Sequence, residues 1–145
     1  MLYIASDHAG FKLKKYLIEF IKEKLEKEII DLGPDKFNKD DDYPDFAIAL
    51  SKKVLENKNN SGVLICGSGN GMCMTANKFK GIHAIVGYSI QAAEASKQDD
   101  VANVLCLAGS VLTEDHAKAI VTAFLNTYPQ IAERHLRRIK KIDTI

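Results

Sequence analysis

Short apolar runs alternate along this chain with segments whose apolar residues recur at helical spacing. Leu2 to Ser6 is an apolar run that closes on the polar turn Asp7-His8-Ala9-Gly10, which predicts a buried first strand. Phe11, Leu13, Leu17, Phe20, Ile21 and Leu25 then recur among lysines and glutamates at three- and four-residue intervals, so a helix is expected over 10–27. Ile29-Ile30-Asp31-Leu32 before Gly33-Pro34 predicts a second strand and a turn. An acidic loop, Asn38 to Asp42, leads into Tyr43-Pro44, with Asp45 expected to cap a helix reaching Glu56.

The alternation then repeats. Gly62 to Cys66 reads as a strand, followed by a glycine turn, a helix through Lys80 and a strand over Ile82 to Val86. A helix over Ser89 to Lys97 and a fifth strand over Asn103 to Leu107 follow. Thr113 is expected to cap a helix whose Ala117, Ile120, Val121, Phe124 and Leu125 share one face, and Pro129 precedes a last, basic helix over 130–141. Aliphatic strands separated by helices require right-handed crossovers, so the expected fold is α/β: three layers, with a five-stranded parallel sheet and helices on both faces. Ligands of such sheets collect outside the carboxyl ends of the strands, which here are Asp7-His8, Cys66 to Gly71 and the segments after Val86 and Leu107.

The bulk composition narrows the class. With 145 residues, 46% hydrophobic and 27% charged, the chain is expected to form a single domain over 1–145. A formal charge of +1 argues against a dedicated nucleic-acid binder. Three cysteines, Cys66, Cys73 and Cys106, make an odd count in apolar or glycine-rich surroundings, unlike a disulfide framework, so a reducing, cytoplasmic setting is expected. The N-terminus turns polar too soon for a secretory signal, and no apolar run approaches the ~18 residues of a membrane span.

Four segments can carry chemistry. Gly67-Ser68-Gly69-Asn70-Gly71 joins a strand to a helix, where backbone N–H groups can converge on an anion; a tight turn without ligand is the competing reading. Met72 stands where a dinucleotide fingerprint needs its last glycine, and the Gly-Lys-Ser/Thr of a P-loop is missing. Cys66 ends the strand before that turn, placed either as a thiolate base or as an inert small core residue. Cys73 and Cys106 read as core, and no Cys or His pair has metal-ligand spacing, so no metal is expected. Asp7-His8 can handle a sugar hydroxyl or cap the next helix. Arg134-His135-Leu136-Arg137-Arg138 with Lys140-Lys141 fits a phosphate, an RNA backbone or a solvated face; the absence of interleaved aromatics disfavours RNA.

Taken together, Asp7-His8-Ala9-Gly10, Asp42-Tyr43-Pro44-Asp45, Cys66 to Gly71, Ala76-Asn77-Lys78, Asn103-Val104-Leu105 and Arg134-His135-x-x-Arg138 resemble, in order and spacing, the ribose-5-phosphate isomerase B and galactose-6-phosphate isomerase family over nearly the whole chain. The resemblance implies a Rossmann-like fold, no metal or organic cofactor, a sugar-phosphate ligand, and a homodimer or homotetramer whose sites draw on two subunits, with the basic helix reaching a neighbour. It implies aldose–ketose isomerisation of ribose 5-phosphate and ribulose 5-phosphate through an enediolate in the pentose phosphate pathway. Cys66 matches the base of one branch, while another branch has a glutamate at the position of Met72. Ser68 and the amides of Gly67, Gly69, Asn70 and Gly71 match the cradle for the substrate and its oxyanion. Asp7, His8 and Tyr43 match substrate contacts, Arg134 and Arg138 match phosphate ligands, and His135 and Arg137 are expected helpers.

Two positions depart from the family. Its Arg-x-His-Asn segment, whose histidine opens the sugar ring, aligns with Lys97-Gln98-Asp99-Asp100, placing Asp99 at the histidine and Asp100 at a substrate contact. A carboxylate is a poor proton donor at neutral pH, which leaves ring opening to Asp99 or to His8. Ser110 follows Ala108-Gly109 where a phosphate arginine is common. The departures keep two alternatives in play: isomerisation of a hexose 6-phosphate such as galactose or allose 6-phosphate, and a catalytically idle sugar-phosphate binding protein.

Overall fold

The computed structural model describes residues 1–130 and 132–145. Its centre is a five-stranded parallel sheet in the order β2-β1-β3-β5-β4, built from β1 (Leu2–Ser6), β2 (Ile29–Asp31), β3 (Ser61–Cys66), β4 (Ala84–Val86) and β5 (Val104–Ala108). The helices are α1 (Phe11–Lys24), α2 (Tyr43–Leu55), α3 (Asn70–Ala76), α4 (Ile90–Gln98), α5 (Glu114–Asn126) and α6 (Glu133–Ile142). Alternate residues of the inner strands face opposite cores, the two-residue period of a sheet buried on both sides. Leu2, Ile4, Val63, Ile65, Leu105 and Leu107 pack under α1, α4 and α5. Tyr3, Ala5, Leu64, Cys66, Val104 and Cys106 pack under α2 and α3.

The three-layer expectation holds, and so does the Thr113 cap, whose hydroxyl accepts from the His116 N–H at 3.1 Å. Element ends differ. Asp45 does not cap α2: the helix begins at Tyr43, and Pro44, with its fixed φ and missing N–H, sits in the first turn. The third helix stops at Ala76 instead of Lys80, because the Asn77 side chain turns to the edge strand, donating to the Ala84 carbonyl and accepting its N–H, both at 2.8 Å. The fourth strand starts at Ala84, since the His83 N–H is taken by the Asn103 side chain at 2.8 Å. The final helix begins at Glu133; position 131 lies outside the described residues.

The first and fourth helices end without glycine. Glu26 and Val101 take the left-handed conformation at φ 52° and 48°. Each turn is closed by a six-residue return bond, Lys27 N–H to Ile21 O at 3.2 Å and Ala102 N–H to Ser96 O at 2.9 Å.

The strand order determines where chemistry collects. From β1 the chain crosses one way to β2, and from β3 the other way to β4 and β5, so the crevice outside the carboxyl ends of β1 and β3 is the switch point. The opposite edge holds the ends of α4 and α6.

Candidate active site

Three loops are tied into one platform at the carboxyl edge. The Asp7 N–H donates to Ile65 O at 3.1 Å, Gly109 N–H to Cys66 O at 2.7 Å, and Ser110 N–H to Gly67 O at 3.1 Å. A side chain on Gly10 would meet the Ile65 carbonyl oxygen at 2.5 Å, so the approach of the first loop to the third strand requires glycine there.

Cys66 is buried at the end of β3, and its Sγ accepts the Gly69 N–H at 3.2 Å. Gly69 makes this possible by taking φ 78°, which turns the loop back over the sulfur and into α3. Ser68 is exposed, and its Oγ accepts from the Asn70 N–H at 3.3 Å. The Tyr43 ring lies on Gly71, where a Cβ would come within 2.5 Å of it. Burial pushes the thiol of Cys106 well above its ordinary range, consistent with a core residue. Cys73, also expected in the core, is instead partly exposed on α3 and donates to Ala84 O at 3.3 Å.

The structure shows Asp7 in its capping role: the buried carboxylate caps the short 3₁₀ turn His8–Gly10 by accepting the Gly10 N–H at 3.1 Å, at the carboxyl end of β1. Burial pushes the Asp7 carboxyl up, against the lowering effect of that N–H. His8 Nδ1 lies 2.7 Å from Asp41 Oδ1, and the His8 backbone N–H donates to the same oxygen at 3.0 Å. That pairing raises the His8 pKa, and the charges of Asp7 and Asp40 add to it.

Sequence reasoning passed over Asp41, treating it as part of an acidic loop. Asp7, His8 and Asp41 bring potential metal ligands within 4.8 Å of one another and are the residues that could hold a cation. The direct His8–Asp41 pairing is that of a donor with an acceptor, whereas a shared ion would need both lone pairs turned towards it.

The remaining candidates sit elsewhere in the chain. Helix α4 starts beyond β4 at the carboxyl edge and runs back, so Asp99 and Asp100 lie at the amino edge, before β5. There Asp99 Oδ1 is 3.2 Å from His135 Nδ1, close enough for charge attraction but not angled as a hydrogen bond. Gln130 N–H donates to Gln98 O at 3.0 Å, and His83 Nε2 pairs with Asp143 at 2.8 Å, which seats α6 on this edge. Arg134 and Arg138 project from α6 and are exposed. A strand of five residues spans roughly 17 Å, so one chain does not bring Asp99, Asp100, Arg134 and Arg138 to Cys66.

A cleft of about 530 Å³ between the starts of α1 and α5 is lined by Lys12, Gly109, Thr113 and Glu114, adjoining the platform but not enclosing Cys66. Among the described residues no helix is long and apolar enough to cross a membrane.

Comparison with known proteins gives the same outline. The Ribose/Galactose Isomerase family model matches residues 2–142. A probable ribose-5-phosphate isomerase B of Mycoplasma genitalium is 45% identical over 142 residues, covering 97% of this chain and 92% of that protein. Ribose-5-phosphate isomerase B of Mycobacterium tuberculosis is 37% identical over 138 residues, covering 95% and 85%. Among solved structures, ribose-5-phosphate isomerase B from Mycoplasma genitalium with bound ribulose-5-phosphate is similar at a TM-score of 0.94 and 44% identity, covering 99% of this chain and 93% of that one. The corresponding protein from Thermotoga maritima gives a TM-score of 0.94 at 36% identity, covering 99% and 97%. With the sheet order, the glycine platform and a match over nearly the entire length, the chain belongs to the Ribose/Galactose Isomerase family.

Proposed function

We infer that the protein is an aldose–ketose isomerase that interconverts ribose 5-phosphate and ribulose 5-phosphate. The observation that carries this reading is the Gly69 N–H aimed at Cys66 Sγ within the switch-point platform of a fold shared with a protein solved with ribulose-5-phosphate bound. Cys66, as thiolate, takes the proton from C2 of the open aldose. The electron pair left behind forms the enediol double bond and the charge moves to O1; the O2 hydrogen then passes to O1, its electron pair forms the C2 carbonyl, and the double-bond pair takes the proton back from Cys66 at C1 to give the ketose. In the loop between β3 and α3 the Gly69 N–H is taken by the sulfur and the Asn70 N–H by Ser68 Oγ, which leaves the Ser68 hydroxyl and the other loop amides as donors for that oxyanion; preorganised donors of this kind stabilise it most in the transition state.

A complete site takes two chains. Arg134 and Arg138, from the α6 of a second copy, clamp the phosphate, with Asp99 and Asp100 of that copy near the sugar; Asp7, His8 and Tyr43 come from the first. Their placement at opposite sheet edges supports this arrangement, which makes the smallest active form a homodimer. Free thiols and a phosphorylated substrate suit the cytoplasm.

Ser110 favours a second substrate class. Its hydroxyl stands beside Gly67, 3.4 Å from the point a Cβ there would occupy, where the family often has a phosphate arginine, and the alternative substrate is a hexose 6-phosphate. Ketose formation from ribose 5-phosphate, followed by ultraviolet absorbance with Cys66→Ala as control, tests the main reading. Relative kcat/KM for pentose and hexose phosphates separates the two substrates. Tight binding of both without turnover would leave a binding protein.

A further inference from the structure

The isomerisation inferred above begins with a closed sugar, and C2 can lose its proton only after the ring opens. The crevice contains a second constellation besides Cys66. Asp41 Oδ1 accepts both the His8 backbone N–H at 3.0 Å and His8 Nδ1 at 2.7 Å. That oxygen already accepts an amide hydrogen and stands as acceptor to the ring as well, so Nδ1 carries its hydrogen and Nε2 is the nitrogen left for chemistry. The Asp41 side chain is only 8% exposed, and its other oxygen has no hydrogen-bond partner. Phe37 meets the imidazole edge-on at 6.3 Å between centroids, and Phe11 backs Phe37 at 6.1 Å. The ring is therefore held on one side by a carboxylate and on another by an aromatic pair, while 36% of the His8 side chain remains exposed.

We propose that Asp41 is a positioning residue for sugar-ring opening, holding His8 so that its Nε2 moves the proton that frees the ring oxygen. In this step the imidazolium Nε2–H gives its proton to the ring oxygen as the C1–O bond breaks and its electron pair passes to that oxygen. The electron pair of the C1 hydroxyl O–H bond forms the carbonyl, and that proton goes to the Asp7 carboxylate. Transfer from Asp7 back to His8 restores both groups, with no net gain or loss of protons. The groups facing His8 are all acidic, Asp7 from the end of β1 and Asp40 and Asp41 from the 33–42 loop, and they favour its charged form. This assignment rests on the isomerase reading, but it makes Asp99 at the far edge unnecessary as the proton donor.

Ring opening can be observed by itself. In full-length Cys66→Ala protein the C2 proton stays in place, and exchange between the α and β anomers of ribose 5-phosphate, read by proton NMR exchange spectroscopy, reports opening and reclosure alone. Cys66→Ala is expected to accelerate that exchange above the buffer rate. Adding Asp41→Asn is expected to cut the acceleration by about tenfold or more, as losing an orienting partner does, and to move its pH dependence to lower pH, with Asp41→Glu restoring part of it. Unchanged exchange in Asp41→Asn overturns the proposal and transfers the step to the Asp99–His135 pair. Absence of catalysed exchange in Cys66→Ala overturns it as well. If Asp41→Asn fails to fold, His8→Gln in the same background must abolish the acceleration, and its persistence refutes the assignment. Failure of the isomerase reading shows up separately, as no ketose from the unmutated chain.

Discussion

Asp99 Oδ1 and His135 Nδ1 lie 3.2 Å apart at the amino edge of the sheet, the edge opposite Cys66. Each chain therefore carries the proposed base and its glycine loop at one end, and a carboxylate, an imidazole and two exposed arginines at the other.

Complementation tests the consequence. Cys66→Ala and Arg134→Ala/Arg138→Ala proteins are each expected to be inactive alone. Dissociated and remixed, they should regain about a quarter of normal activity, because half of random dimers are mixed and each has one intact site. No recovery would place Cys66 and the arginines in the same chain's site.

Replacing Cys66 by alanine removes the only group proposed to take the C2 proton. Turnover of ribose 5-phosphate should drop by about 10³-fold or more while binding persists, which isothermal titration of the variant with ribose 5-phosphate can read. A normal kcat would eliminate Cys66 as the base.

The Asp41 hydrogen bond raises the His8 pKa above the usual histidine value, with burial opposing it and the charges of Asp7 and Asp40 adding to it. A raised pKa means that the pair's contribution to stability is fully present below the unfolded value of about 6.5 and is lost as pH rises through the folded value. NMR titration of His8 should therefore show a lower pKa in Asp41→Asn. The stability gap between the two proteins should narrow as pH rises from the unfolded value of about 6.5 through the folded value of His8; identical titration curves would contradict the pairing.

Lys14 is fully buried and donates to both oxygens of Asp31 at 2.7 and 2.8 Å and to Pro34 O at 2.8 Å, fastening α1 to the start of the 33–42 loop. Lys14→Met leaves that carboxylate and carbonyl without their shared donor. A loss of about 2–4 kcal/mol is expected in denaturant unfolding, together with reduced turnover, since the same loop carries Asp41.

Val101 takes the left-handed conformation at φ 48°, unfavourable for a β-branched residue by about 1–2 kcal/mol. Val101→Asn is expected to raise the melting temperature by about 2–4 °C, read by calorimetry. A lower melting temperature would mean that packing of the valine outweighs its backbone strain.

The sheet and its layers were legible because strand and helix periods differ, and the inner strands from Leu2 to Leu107 carry almost uninterrupted apolar runs. Helix ends were less so: Glu26 and Val101 terminate helices where glycine is the usual signal, and Asn77 ends one through a side-chain bond to a distant strand. The position of Cys66 and the glycine loop between a strand and a helix was legible from the apolar run that precedes them. Asp41 was missed because its role depends on the fold of the 33–42 loop, which brings it to His8 across 33 positions of sequence. The distribution of Asp99 and Arg134 away from Cys66 is likewise a property of strand order and of the direction in which α4 runs, and no local pattern encodes it.

Helix α4, nine residues long, connects the two working edges of every chain. On the proposed division of the site between two chains, catalysis has no monomeric form, and below the dissociation constant of the pair its rate falls with the square of protein concentration. The cell's stock of the chain then sets more than the number of sites: it sets whether each site exists.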